Sequence, residues 1–173
     1  MIELPISFKF RWLDDSGNET GFFSSKRGSF DGETLVLDDV ELPVSNILSL
    51  EAYEERLALA FISGGMTDSA TFRIYKVSAK DLKQAVDVVR SATWAEMTRE
   101  KMVEEGRGGA FRTTVCSHCS ATVDVSDMPD TSQVYCHFCD SLTTKGAGGM
   151  PNEHEFGLCE ECGMFSKPKR FTI

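Results

Sequence analysis

Apolar and polar side chains alternate along the first part of the chain with the two-residue period of half-buried β-strands. The clearest run spans residues 8–13, where Phe8, Phe10 and Trp12 alternate with Lys9 and Arg11. Turn-forming glycine, asparagine and aspartate residues separate it from further extended segments, predicted at residues 21–24, 34–37, 40–50, 50–53, 57–62 and 71–77. Residues 63–68 are predicted to be a loop. The pattern therefore predicts an antiparallel β-structure.

A helical period replaces this alternation from Ser78 onward. Ser78 and Asp81, three residues apart, resemble a capping box in which aspartate takes the place of the usual glutamate. Four apolar residues and one threonine fall on one stripe at helical spacing: Leu82, Val86, Val89, Thr93 and Met97. The sequence predicts one long helix over residues 78–104, whose stripe an antiparallel sheet can cover.

The cysteines divide the chain, because all six lie after residue 115. A glycine-rich segment precedes them and is typical of a helix end followed by a flexible joint. We therefore predict a β-rich domain with its C-terminal helix at residues 1–105, a linker at 106–112, and a cysteine-bearing domain at 113–173.

The order of the predicted elements in residues 4–102 resembles the pleckstrin-homology-like superfamily, and residues 35–47 resemble its bacterial and GRAM-type members. The resemblance implies an α+β fold: a mostly antiparallel barrel or sandwich closed by one C-terminal helix. A β-sandwich of another topology is the structural alternative. Phosphoinositide-binding members carry basic residues on the first two strands, where this chain has Lys9, Arg11, Lys26 and Arg27. Their spacing differs from the family pattern, so a solvated face is favoured over lipid-headgroup binding.

Two Cys-x-x-Cys pairs carry the strongest chemical signal. Cys116/Cys119 and Cys136/Cys139 are separated by sixteen residues, a spacing typical of four-cysteine zinc sites. Short alternating segments flank both pairs, as expected for two β-hairpins whose turns direct four sulfurs at one ion. This arrangement resembles a small β zinc-ribbon domain over residues 113–144, and it predicts one bound Zn²⁺.

A third pair, Cys159/Cys162, has no fourth pair to complete a second site. The favoured interpretation is a second zinc with His154 as a third ligand and a fourth from His137, His118, a carboxylate or water. The pair could instead share a zinc with its copy in a homodimer, replace one of the first two pairs, or remain a free dithiol. His118 and His137 lie inside the cysteine turns and are otherwise expected to be surface residues.

Catalysis is not predicted, because a four-thiolate zinc has no open position for water and no catalytic constellation of residues is visible. Thiol exchange would require a Cys-x-x-Cys motif opening a helix, and none of the three pairs does so. With no secretory signal in view, reduced, metal-binding cysteines and a cytoplasmic location are expected. Zinc-dependent hydrolysis at an open third site remains a minor alternative.

Charge and composition limit the partners. The chain has 173 residues, 41% of them hydrophobic, and a formal net charge of −9. It has no apolar run long enough to span a membrane, and its charge argues against general binding to nucleic acid. The resulting hypothesis is a non-enzymatic, zinc-binding adaptor that binds protein or peptide partners. The alternative is a nucleic-acid or transcription-associated zinc-ribbon protein, with Lys167, Lys169 and Arg170 as its basic patch.

Overall fold

A computed structural model describes residues 3–21, 24–126, 133–144, 157–158 and 165–166. Its one described α-helix is α1 (Ala79–Glu104). The strands of this part of the chain are β1 (Ile6–Leu13), β2 (Lys26–Phe30), β3 (Thr34–Leu37), β4 (Val40–Pro43), β5 (Ile47–Tyr53), β6 (Arg56–Ser63), β7 (Met66–Tyr75), β8 (Thr113–Val115), β9 (Thr122–Asp124), β10 (Gln133–Cys136), β11 (Ser141–Thr144), β12 (Gly157–Leu158) and β13 (Phe165–Ser166). The predicted α+β class, mostly antiparallel with one helix, is confirmed. The chain divides into two compact units, Met1–Arg90 and Ser91–Ile173.

The first unit contains a seven-stranded antiparallel sheet among its described residues, in the order β4-β3-β2-β1-β7-β6-β5. Its edge strands β4 and β5 share no hydrogen-bonded register, so the sheet is open and does not form a closed barrel. Pro43 ends β4. Because proline has no backbone N–H, it cannot donate a hydrogen bond to a further strand at this edge of the sheet. A single 3₁₀ turn, Val44–Asn46, then leads into β5.

Strand β2 differs from its prediction. The sequence predicts a strand at residues 21–24, whereas the described residues of that segment are irregular and the strand lies at Lys26–Phe30. Two cations and a glycine give β2 a weak intrinsic strand signal. Antiparallel pairing with β1, which places Ile6 opposite Phe30, holds this segment as a strand despite its weak intrinsic propensity. Strand β7 also begins within the predicted loop, at Met66.

The core of the first unit follows the alternation in its strands. Inward residues of β1 and β7 pack their rings edge to face, with the centroids of Phe10 and Phe72 5.5 Å apart. The first half of α1 contributes Leu82 and Val86 to the same core, and both are fully buried. Ser78 caps the helix, because the backbone N–H of Asp81 donates to its hydroxyl at 3.4 Å.

The second half of α1 has a different buried side. Met97 was predicted on the covered stripe, yet 54% of it is exposed. Within the second unit Ser91, Ala95 and Met102 are buried instead. The helix ends at a left-handed Gly106, where the N–H of Arg107 donates to Met102 O at 2.7 Å. No helix in the described part of the chain is long and apolar enough to cross a membrane.

The described residues of the second unit form three antiparallel strand pairs: β8 with β9, β10 with β11, and β12 with β13. The first two match the strands that the sequence predicts around the first two cysteine pairs. The predicted linker at 106–112 and the domain limits at 105 and 113 stay predictions.

Candidate metal centre

Two hairpins bring the first four cysteines together. Cys116 follows β8 directly, and the turn that it shares with Cys119 leads back into β9. Cys136 is the last residue of β10, and Cys139 lies in the turn before β11. A turn closed by a Cys-x-x-Cys motif brings its two sulfurs to one side. Two such turns can therefore surround a common centre.

The sulfur positions fit a tetrahedral ion. All four Sγ atoms lie within 4.8 Å of one another. The Cys116–Cys139 and Cys119–Cys136 Sγ distances are 3.6 and 3.7 Å. A tetrahedral site with metal–sulfur bonds of about 2.3 Å requires sulfur–sulfur edges of about 3.8 Å. The cluster can therefore hold a metal ion such as zinc with little movement of the ligands.

Backbone N–H groups point at the sulfur that opens each turn. The N–H of His118 lies 3.4 Å from Cys116 Sγ. Burial raises the pKa of Cys116, but the N–H groups of Cys119 and His118 and the Cys139 thiol outweigh it and lower that pKa to about 7. Hydrogen bonds to the charged form favour thiolate, which is the state that binds metal.

Burial outweighs the hydrogen bonds at two other ligands, Cys119 and Cys136. It raises the pKa of Cys136 to about 11, although the N–H groups of Phe138 and Cys139 donate to its sulfur. It also raises the pKa of Cys119. Ionising these buried thiols without a cation is costly, whereas a bound divalent cation supplies the compensating charge and displaces their protons.

The second hairpin also braces the first turn. Thr143 is buried, and its hydroxyl oxygen accepts a hydrogen bond from the backbone N–H of Ser117 at 2.9 Å. The His118 Nε2 lies 3.1 Å from the carbonyl oxygen of Leu142. These contacts fix one cysteine turn against the other. The sequence signal for Thr143 was its place in the segment that follows the second cysteine pair, and the register places it opposite Val134.

A left-handed residue follows each of the first two cysteine pairs. Ser120 has φ 64° and Asp140 has φ 58°, in the region that glycine adopts without strain. Asp140 also accepts a hydrogen bond from the Tyr135 hydroxyl. Gly163 occupies the corresponding place after the third pair.

The structure unites some predicted ligands and does not describe the others. Among the described residues, the candidate metal group consists of Cys116, Cys119, Cys136 and Cys139, and neither His118 nor His137 belongs to it. These four cysteines form no disulfide. Cys159, Cys162 and His154 lie outside the described residues, so their part in a second site stays a prediction.

The donor set defines the chemistry that this centre supports. Four sulfurs fill a tetrahedral coordination shell, which stabilises a fold and leaves no position for a reacting water. Three of the four cysteines are buried, and Cys139 is partly exposed. Valines 123, 125 and 134 pack around the cluster.

No protein-family model matches this chain, and a search of curated proteins found no match to it.

Proposed function

We propose that this chain is a non-enzymatic, zinc-binding adaptor protein that binds protein or peptide partners. The four-cysteine cluster is the observation that carries the proposal. Its sulfurs already lie near the separations of a tetrahedral zinc site. Soft thiolate ligands in tetrahedral geometry favour zinc over harder cations such as Mg²⁺ and Ca²⁺.

The zinc is proposed to be structural. The packing around the cluster is small, with Ala121 and three valines fully buried. Structural zinc contributes about 10–16 kcal/mol in small domains. Burying each valine contributes about 2 kcal/mol. Metal binding is therefore the larger stabilising interaction in this part of the second unit.

The fold assignments extend the same proposal. Seven antiparallel strands followed by one helix support a pleckstrin-homology-like first unit. Two cysteine hairpins around one centre support a zinc ribbon at residues 113–144. Strands β12 and β13 stand on either side of Cys159 and Cys162 in the sequence, as the other strand pairs do around theirs. This parallel supports a metal-binding role for the third pair.

An exposed apolar pair near the cluster supports a protein partner. Tyr135 and Leu142 face each other across β10 and β11, and 50% and 57% of their surfaces are exposed. Large side chains of this kind, Tyr in particular, are enriched at protein interfaces. A nucleic-acid partner is disfavoured, because the chain carries a net charge of −9 and a zinc bound by four thiolates adds negative charge.

Elemental analysis of the full chain, purified without chelator, tests the metal. We expect at least one zinc per chain in the wild type and a loss of one in Cys116→Ser. Cys159→Ser with Cys162→Ser measures the third pair separately: zinc falls by one if that pair holds a second ion. A wild-type content below one zinc per chain would remove the basis of the proposal.

Comparison of cross-linked partners tests the adaptor role. The Tyr135→Ser, Leu142→Ser double variant keeps all four cysteines, so its zinc content should equal that of the wild type. Proteins cross-linked to the wild type and lost from this variant would support the proposal. Salt-sensitive retention on DNA or RNA, with no difference in protein partners, would favour the nucleic-acid alternative.

A further inference from the structure

Part of strand β7 has a neighbouring strand on one side only. Strand β7 pairs with β6 from Met66 to Arg73. Its pairing with β1 begins only at Thr71, because β1 ends at Leu13. Within the described part of the chain, residues 66–70 therefore have no strand on the β1 side. We refer to this stretch as the open β7 edge.

The backbone of the open β7 edge has hydrogen-bonding groups that no strand uses. Successive residues of a strand direct their N–H and C=O groups to opposite sides. The N–H of Ile74 donates to Glu55 O, directly before β6, at 2.8 Å. Thr67 and Ser69 therefore direct their backbone groups away from β6. The N–H of Ser69 donates instead to the adjacent Asp68 carboxylate at 2.8 Å. Such an edge can template a further strand.

The open β7 edge belongs to an exposed hairpin. Every residue from Ile62 to Ser69 is exposed, and Met66 is 74% exposed. Gly64 and Gly65 have φ 57° and 80°, as a two-residue hairpin turn requires. Two strands alone are marginally stable in water, so a third strand beside β7 would stabilise this part of the sheet.

Acidic side chains lie at the open β7 edge. Asp14 and Asp15 line a cavity of about 350 Å³ together with Ser69 of the edge. Arg56 is the one basic residue among the described residues that line this cavity. Asp14, Asp15 and Asp68 form no ion pair with any described residue. Three carboxylates are thus available to a positively charged partner.

We propose that the open β7 edge binds an extended segment of a partner protein, which joins the sheet as a strand and carries a lysine or arginine opposite Asp68. Backbone pairing with Thr67 and Ser69 supplies the affinity, and Asp68 supplies the selectivity. Asp68 occupies a non-hydrogen-bonded position toward the new strand, where facing side chains are closest. A basic side chain that binds the Asp68 carboxylate releases the Ser69 N–H for pairing, whereas a neutral strand must compete with that carboxylate.

The charges favour a different protein over a second copy of this chain. Antiparallel pairing of two open β7 edges would bring Asp68, Asp14 and Asp15 of both copies close together, and facing like charges destabilise a sheet. The inference rests on the proposed binding of protein or peptide partners, and it adds a site in the first unit.

Peptides of defined charge test this proposal with the full chain. The probe is an acetylated, amidated octapeptide of alternating threonine and lysine, and a matched control has glutamate in place of each lysine. A third peptide keeps the lysines but is N-methylated at its two central residues, which blocks both hydrogen-bonding edges. Amide chemical shifts at constant ionic strength should show saturable binding of the lysine peptide at Thr67 and Ser69. No binding of this peptide, or equal binding of either control, would overturn the proposal.

Matched variants connect the binding to the open β7 edge. Thr67→Pro removes the outward N–H without removing a hydrogen bond to β6, and it should abolish binding. Asp68→Asn should weaken binding about tenfold, as expected for loss of a charged contact. Glu41→Gln removes a charge on β4, the far edge of the sheet, and should change nothing. Full binding in Thr67→Pro, or an equal loss in Glu41→Gln and Asp68→Asn, would contradict the assignment.

Two further measurements separate this inference from its alternatives. Self-association of the wild type that is lost in Thr67→Pro would assign the edge to a second copy and overturn the peptide site. Cross-linking through Tyr135 and Leu142 reports on the second unit independently. Absence of peptide binding, with those cross-linked partners retained, would therefore overturn this inference and leave the adaptor proposal standing.

Discussion

Replacing Cys136 by serine separates metal coordination from ordinary packing. Cys136 is completely buried, and its sulfur lies 3.7 Å from that of Cys119. Serine changes the volume little but removes one soft ligand. It also introduces a buried hydroxyl, whose penalty destabilises the folded state to which zinc binding is coupled.

The two effects differ in magnitude. A quarter of the 10–16 kcal/mol supplied by a structural zinc is about 3 kcal/mol per ligand. An unsatisfied buried hydroxyl costs about 1–3 kcal/mol. The combined loss for Cys136→Ser is about 4–6 kcal/mol, or a decrease of about 10³- to 10⁴-fold in apparent zinc affinity. Val123→Thr is the matched control, because Val123 is buried beside the cluster and only the hydroxyl penalty applies.

Competition between the protein and a zinc chelator measures both affinities, and Co²⁺ substitution reports the ligands. In Cys136→Ser the sulfur-to-cobalt charge-transfer absorption should fall by about a quarter, since one of four thiolates is gone. Val123→Thr should bind more weakly with an unchanged spectrum. A wild-type cobalt spectrum in Cys136→Ser, or an affinity no lower than that of Val123→Thr, would refute the reasoning.

Three further sets of substitutions test local features of the structure by chemical denaturation. Thr114 is fully buried, and its hydroxyl has no hydrogen-bond partner among the described residues, so Thr114→Val should stabilise the folded protein by about 1–2 kcal/mol. Thr143→Val should destabilise it by a similar amount, because the substitution removes the acceptor for the backbone N–H of Ser117. An equal effect of the two would contradict this account. Ser120→Gly should stabilise by about 1 kcal/mol by relieving a left-handed backbone, while Ser120→Ala should not. Burial raises the pKa of Asp87 and lowers that of Arg90, so it disfavours both charged forms of this 2.9 Å ion pair. Arg90→Met leaves Asp87 with Lys83 as its other ion-pair partner, so it should cost about 2–3 kcal/mol. Asp87→Leu with Arg90→Met should cost less, a difference that a double-mutant cycle measures.

The four-cysteine cluster could be predicted because its information is local. Each Cys-x-x-Cys turn brings two sulfurs together, and the flanking alternation marks the strands that hold them. Strand β2 could not be predicted in this way, because its state depends on pairing with β1 and its own residues have weak strand propensity. The helical periodicity predicted α1, but it could not predict which part of the fold packs against each side of the helix. Met97 is therefore exposed where the stripe predicted burial.

The partners of the basic residues also could not be predicted from the sequence. They show, in addition, that the net charge of the chain does not describe the surroundings of a single residue. In the sequence Lys9, Arg11, Lys26 and Arg27 form one group, yet their partners come from elsewhere in the chain. Glu19 and Asp38 bind Arg11 and Lys26, whereas the register leaves Lys9 beside Arg27. A net charge of −9 acts strongly on an extended polyanion, which contacts much of the surface. A single charged group experiences mainly charges within the screening length of about 8 Å at physiological salt. The same net charge therefore argues against a nucleic-acid partner but says little about the local surroundings of Lys9 and Arg27.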